Sequence, residues 1–235
     1  MAAIRSIVKR IPLVGPLAIR TRRAISKVTF RSSDYWERLY QHGGTSGPGS
    51  YGELAAFKAD VMNEIVSQNG IQTVIEFGCG DGNQLRHMRY PNYLGVDVAQ
   101  SAVERCRELH KDDPTKRFSV IRADGEYGQF DMAISLDVIY HLVEDSVFES
   151  YMRSVCAAAT RVVVFYSSNG DPLNGAVSWS PHVRHRRFTD WMDWNRPDWK
   201  LVTMIPNRYP FRHEGELERG SFADFYVFEK APGPT

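Results

Sequence analysis

Long apolar runs, paired cysteines and a surplus of one charge are all missing from this 235-residue chain. No stretch of 18 apolar residues occurs, so no bilayer-spanning helix is expected. Three cysteines, at positions 79, 106 and 156, are too few and too scattered for a disulfide framework. They suit a reducing, cytoplasmic setting. The absence of C-x-x-C and H-x-x-x-H spacings leaves no zinc motif, and the absence of Gly-Lys-Ser/Thr excludes a P-loop. Apolar residues make up 43% of the chain, enough to fill a sizeable core.

The net charge of +1 conceals an asymmetry. Residues 1–33 carry eight Lys/Arg and no acid, and the remainder carries 21 basic against 28 acidic residues. A basic arm therefore precedes an acidic body. Residues 1–28 either contact an anionic membrane surface from the cytoplasmic side or pack on the protein's own domain. Prolines and basic residues interrupt their apolar stretches, which argues against a secretory signal. The acidic body runs against the usual footprint of a nucleic-acid binder.

Ser32-Ser33-Asp34 reads as a helix start, and HGGTSGPGSYG (42–52), with five glycines in eleven residues, reads as a loop. Leu54, Phe57, Val61 and Ile65 recur at helical spacing through residues 51–68. Thr73–Phe77 is a short β-branched strand running into glycines. Helices are expected at 83–89, 101–110, 144–159 and 188–194, and strands at 93–98, 118–122, 132–136, 161–165, 201–205 and 225–228. Such alternation predicts parallel βαβ units with helices on both faces. Ligands of these sheets bind at the carboxyl ends of the strands. Residues 1–50 are expected to form the arm and a glycine-rich lid, and 51–230 the main domain.

The segment E-F-G-C-G-D-G (76–82) lets backbone approach a ligand closely. Its G-x-G-x-G spacing, with Asn83 where a dinucleotide fingerprint wants a small residue, points away from NAD. Glu76 would repel a pyrophosphate but not the ammonium of a methionine moiety. Asp97, 17 residues after Gly80, can accept both hydroxyls of a ribose. Asp124 can accept from an adenine amine, or else cap its own turn.

The order E-x-G-C-G-x-G, G-V-D, A-D, then F-D-M-A-I-S-L-D-V-I-Y-H-L resembles the class I S-adenosylmethionine (SAM)-dependent methyltransferases. The resemblance implies a single Rossmann-like α/β domain whose seven-stranded sheet has its last strand antiparallel. It implies that Gly78, Cys79 and Gly80 line the methionine portion, with Glu76 near the amino group. It further implies that Asp97 holds the ribose, that Val98 borders the adenine and that Asp124 touches the adenine edge. F-R-S-S-D-Y-W-E-R-L-Y and the glycines after it (30–52) resemble the lid of bacterial saccharide and glycan O-methyltransferases, including those of methylmannose polysaccharide assembly.

Methyl transfer to a hydroxyl needs alignment and a proton acceptor. His141 is the candidate base, and Tyr140 and Asp137 are candidates to orient it or the acceptor. Asp137 is also the candidate ligand for a divalent cation such as Mg. SPHVRHRRF (180–188) supplies His182, Arg184, His185 and Arg186 as donors for an acceptor, and Trp179 as a stacking platform. The function expected is O-methylation of a sugar or glycan intermediate. The alternatives are a small natural-product or lipid-like acceptor, and a SAM-binding protein without catalysis. A homo-oligomer is compatible with either outcome. No N/D-P-P-Y/F pattern of amino-methylating enzymes follows the fourth strand.

Overall fold

The computed structural model describes residues 30–122, 125–172, 174–175, 180–211 and 220–232. Asp124, Trp179 and the basic arm lie outside the described residues. Two helices come first, α1 (Ser32–Gln41) and α2 (Gly52–Gln68). Then follow β1 (Thr73–Phe77), β2 (Asn92–Asp97), α3 (Gln100–Leu109), β3 (Lys116–Val120) and β4 (Phe130–Leu136). The chain ends with α4 (Asp145–Ala158), β5 (Ala159–Ser167), α5 (Phe188–Asn195), β6 (Trp199–Ile205) and β7 (Asp224–Lys230).

The strands form one seven-stranded sheet in the order β3-β2-β1-β4-β5-β7-β6. The pairings from β3 through β5 are parallel, and β7 runs antiparallel to both β5 and β6. This is the expected Rossmann-like methyltransferase fold, with the chain order reversing direction between β1 and β4. The central strands β1, β4 and β5 bury both faces, so neighbouring residues enter opposite layers, whereas the edge strand β6 is largely exposed. Val74, Ile134, Val162, Val164 and Phe225 pack under Phe57, Met62 and Val66 of α2 and Val103 of α3. Ile75, Ala133, Val163, Phe165 and Phe228 pack under Phe148, Met152 and Val155 of α4 and Phe188 and Met192 of α5.

One expected helix is not formed. Residues 83–89 contain only the short 3₁₀ turn Gln84–His87. Pro91 disfavours a helical Tyr90. Asn63 of α2 takes over the local backbone groups, accepting from Arg89 N at 2.7 Å and donating to His87 O at 3.0 Å. The other elements appear within a few residues of their expected limits.

Phe165 is fully buried at the centre of the sheet, edge-to-face with Phe188 at 5.2 Å and Phe228 at 6.0 Å. Phe165→Ala should lower unfolding free energy by about 3–5 kcal/mol in urea denaturation. A loss below about 1 kcal/mol would mean the two layers are not packed as described.

Candidate functional site

The carboxyl ends of β1, β2 and β4 open into one cavity of about 950 Å³. Its floor begins where β1 leaves the sheet. Gly78 N and Cys79 N both donate to Val96 O, at 2.7 and 3.2 Å, so the turn folds back over β2. Gly78 and Gly80 take φ of 84° and 56°. A Cβ at Gly78 would stand 2.4 Å from Val138 Cγ2, and one at Gly80 would stand 2.2 Å from Ser46 Oγ. Glycine is therefore required at both positions by backbone and by space.

Two buried carboxylates face this turn. Asp97 accepts from Gly80 N and Ala99 N, both at 2.9 Å. A carboxylate has about four lone-pair sites, so capacity remains for a ligand. Burial raises its pKa. Glu76 accepts from Tyr93 OH at 2.5 Å, and burial pushes its pKa up to about 7. Val98, which is exposed, and the buried Cys79 complete this half with Ile121, Arg122 and Tyr127.

The roof comes from residues 31–51. Ser46 N donates to Asp81 Oδ2 at 2.9 Å, Tyr51 OH donates to the same oxygen at 2.7 Å, and Asp81 N donates to Ser46 Oγ at 2.9 Å. Asp81 was not singled out from sequence. Its signal was an acid inside the glycine turn, opposite a loop rich in hydroxyls. Helix α1 adds Trp36, edge-on to His141 at 4.8 Å, and Tyr35, stacked on His182 at 4.6 Å.

His141 and Tyr140 lie in the 3₁₀ turn after β4 and reach the cavity, as does Asp137. His141 Nδ1 is 3.0 Å from His182 O. A carbonyl can only accept, so Nδ1 carries the proton and Nε2 keeps a lone pair. Burial lowers the His141 pKa to about 4. Asp137 sits at φ 61°, rare for a residue with a side chain. It accepts from Tyr140 OH at 2.8 Å and from the buried Lys58 Nζ at 2.6 Å. The expected cation at Asp137 does not fit: it would have to displace this ammonium. Among the described residues, no group of three His, Cys, Asp or Glu converges on a metal position.

Among the described acceptor-loop candidates, His182 alone lines the cavity. The other three described candidates have partners outside the cavity. Arg184 pairs with Asp145 at 2.9 Å and donates to Val143 O. Arg186 donates to Leu142 O and Val143 O, pairs with Asp145 at 3.1 Å and covers the Phe148 ring at 4.7 Å. Both guanidiniums fasten the loop to the segment that leads into α4, through the Leu142 and Val143 carbonyls and the Asp145 carboxylate. His185 is held by Ser168 Oγ at 2.7 Å and by the edge of Phe222. Trp191 packs beside Phe148, and Trp194 is exposed. Lys58 was missed, although it falls on the apolar stripe of α2.

Residues 75–163 match a family model described as a methyltransferase domain. No curated protein matches the chain. The fold resembles N-methyltransferase NodS from Bradyrhizobium japonicum WM9, with a TM-score of 0.58 and 12% identity over 75% of this chain and 94% of that one. It also resembles magnesium protoporphyrin IX methyltransferase from Synechocystis PCC 6803 with bound SAM, at 0.57 and 13% over 90% and 96%. A third likeness is the methyltransferase domain of a bacterial Hen1, at 0.54 and 19% over 75% and 98%. At such identities these likenesses establish the fold.

The His141 pKa is depressed in the fold, so the unfolded chain takes up the proton first as pH falls. The stability contributed by its neutral form is whole above pH 6.5 and is lost on the way down to about 4. His141→Asn cannot titrate there. Urea denaturation should show the stability of wild type relative to this variant falling across that window. A pH-independent difference would place His141 in solvent.

Proposed function

We propose, from the match of residues 75–163 to a methyltransferase-domain model and the class I SAM-dependent signature of residues 76–98, that this chain transfers a methyl group from SAM to a hydroxyl of a sugar or glycan intermediate. The observation that carries this reading is the continuity of one cavity. The glycine cradle with its two buried carboxylates opens directly onto His141, Tyr140 and His182.

The cradle suits SAM. Its two glycines leave room where any side chain would clash, and Glu76 and Asp97 provide acceptors for an ammonium and for ribose hydroxyls. When bound, SAM supplies a methyl group on a sulfonium, which makes the transfer a displacement. The protein's part is to align, to dry the site and to take a proton. Residues 30–50 serve as the lid, with Asp81 and the rings of α1 as its fastenings. His141 receives the hydroxyl proton at Nε2. With a pKa near 4 it is neutral at physiological pH, yet a weak base. It therefore acts late, once bond formation has made the hydroxyl proton strongly acidic. The polar, ring-bearing wall of Tyr140, His141, His182 and Trp36 favours a hydroxylated acceptor. Leu39, Leu54 and Phe222 in the same wall favour a small natural-product or lipid-like acceptor as the second reading.

Incubation with SAM and a panel of mono- and oligosaccharides, followed by S-adenosylhomocysteine release, tests the acceptor class. Turnover on another class and on no saccharide would remove the first reading. His141→Ala should lower turnover by about 10²–10⁴-fold with cofactor affinity unchanged in calorimetry. A collapse of affinity would make His141 a cofactor contact instead.

Glu76 gives a separate signature. Its pKa near 7 means that much of the carboxyl is protonated below neutrality. An ammonium beside it stabilises the ionised form and lowers that pKa. SAM binding at pH 6 should release a proton, and affinity should rise with pH towards 7. Calorimetry in buffers of different ionisation enthalpy measures the release. Glu76→Gln should abolish it, and proton release that persists in this variant would assign the linkage to another group.

A further inference from the structure

Lys58 stands on the buried side of α2, between Leu54 and Val61, with 1% of its surface exposed. Its ammonium donates to Asp137 Oδ2 at 2.6 Å and lies 5.3 Å from the centre of the Tyr166 ring. An ammonium has three N–H donors. Among the described residues only Asp137 accepts from it, so two donors remain uncommitted in the cavity wall.

Its setting is costly. A buried ion pair can often be replaced by apolar residues without loss of stability, so folding alone does not account for the charge. Asp137 is held in a left-handed conformation, a strain of the kind that gathers at functional sites. Gly49 leaves its carboxylate room, since a Cβ there would stand 2.9 Å from Oδ2. Lys58 acts electrostatically on Glu76 and so belongs to the neighbourhood of the glycine cradle.

We propose that Lys58 binds the attacking oxygen of the acceptor, and that the nucleophile is therefore a hydroxyl and not an amine. This rests on the methyl-transfer reading above. An amine has one lone pair, and that pair must attack, so an N–H donor aimed at it blocks the reaction. A hydroxyl has two lone pairs. One accepts from Lys58 while the other attacks the methyl carbon. The C–O bond forms, the C–S bond breaks with its electron pair left on sulfur, and the hydroxyl proton passes to His141 Nε2. The ammonium also stabilises negative charge growing on the oxygen, which assists a base as weak as His141. Asp137 and Tyr140 are positioning residues that fix the ammonium.

The test uses the full chain saturated with S-adenosylhomocysteine and four probes: benzyl alcohol, benzylamine, benzoate and methyl α-glucopyranoside. The side-chain NH₃⁺ resonance of Lys58, assigned by its loss in Lys58→Arg, should shift with benzyl alcohol or the glucoside and not with benzylamine. A shift with benzoate alone, with benzylamine, or with none of the four overturns the proposal. A shift with benzyl alcohol but not the glucoside leaves it standing and removes the saccharide reading. On any hydroxyl acceptor that turns over, Lys58→Met should lower kcat about 100-fold or more, with unchanged S-adenosylhomocysteine affinity and partial rescue in Lys58→Arg. Lys58→Met/Asp137→Asn removes both charges at similar volume, so a fall shared with that folded double variant is not a folding defect. Wild-type kcat in Lys58→Met, or lost cofactor affinity, overturns the proposal.

Discussion

Asp97 fixes the turn on which the site is built. Its two oxygens hold Gly80 N from one side and Ala99 N from the other, so the end of β2, the start of α3 and the glycine turn share one buried carboxylate. The turn can fold back this far only because Gly78 and Gly80 have positive φ and no side chain to meet Val138 or Ser46. Cys106 of α3 adds a thiol contact to Gly80 O at 3.2 Å. A carboxylate so buried is expensive to ionise, and the backbone N–H groups around it offset part of that cost. The same arrangement leaves acceptor capacity directed at a ligand.

The roof depends on that turn in its own way. Asp81 belongs to the turn, yet its partners are Ser46 and Tyr51. The roof is thus anchored to the glycine turn it covers, while its other end meets His141 edge-on through Trp36 and stacks on His182 through Tyr35. Ser32 N donates to Glu144 Oε1 at 2.9 Å and ties the beginning of α1 to the start of α4. Cradle and acceptor side are therefore linked physically through one short helix and its loop.

Much of this was legible in the sequence because it follows from periodicity and glycine chemistry. The apolar strands, the helical stripe of α2 and the E-x-G-C-G-x-G turn each carry a local cause. The missed pieces have causes outside their own segment. The helix expected at 83–89 gives way because Asn63, twenty residues earlier, satisfies its backbone. Arg184 and Arg186 look like ligands in SPHVRHRRF, but the open carbonyls of residues 142–143 and Asp145 claim them. Lys58 is the instructive case. Its spacing from Leu54 and Val61 placed a cation on the buried stripe, and a stripe read only for its apolar members passes over the member that breaks it.

That exception bears on the chemistry of the whole acceptor side. His141 is half-buried, and its desolvated ring is neutral and weakly basic, which on the proposed reading suits a proton acceptor that acts only after charge has shifted. Such a base leaves the hydroxyl nearly unactivated at the outset. A fixed positive charge beside the oxygen supplies the complementary help, because it favours the developing alkoxide without taking the lone pair that attacks. Lys58 could not do this if it were mobile or exposed, since water would screen it. Asp137 accepts from its ammonium, the Tyr166 ring lies beside it, and Tyr140 in turn donates to Asp137. On the proposed reading, weak base and buried cation complement one another in transfer to a hydroxyl.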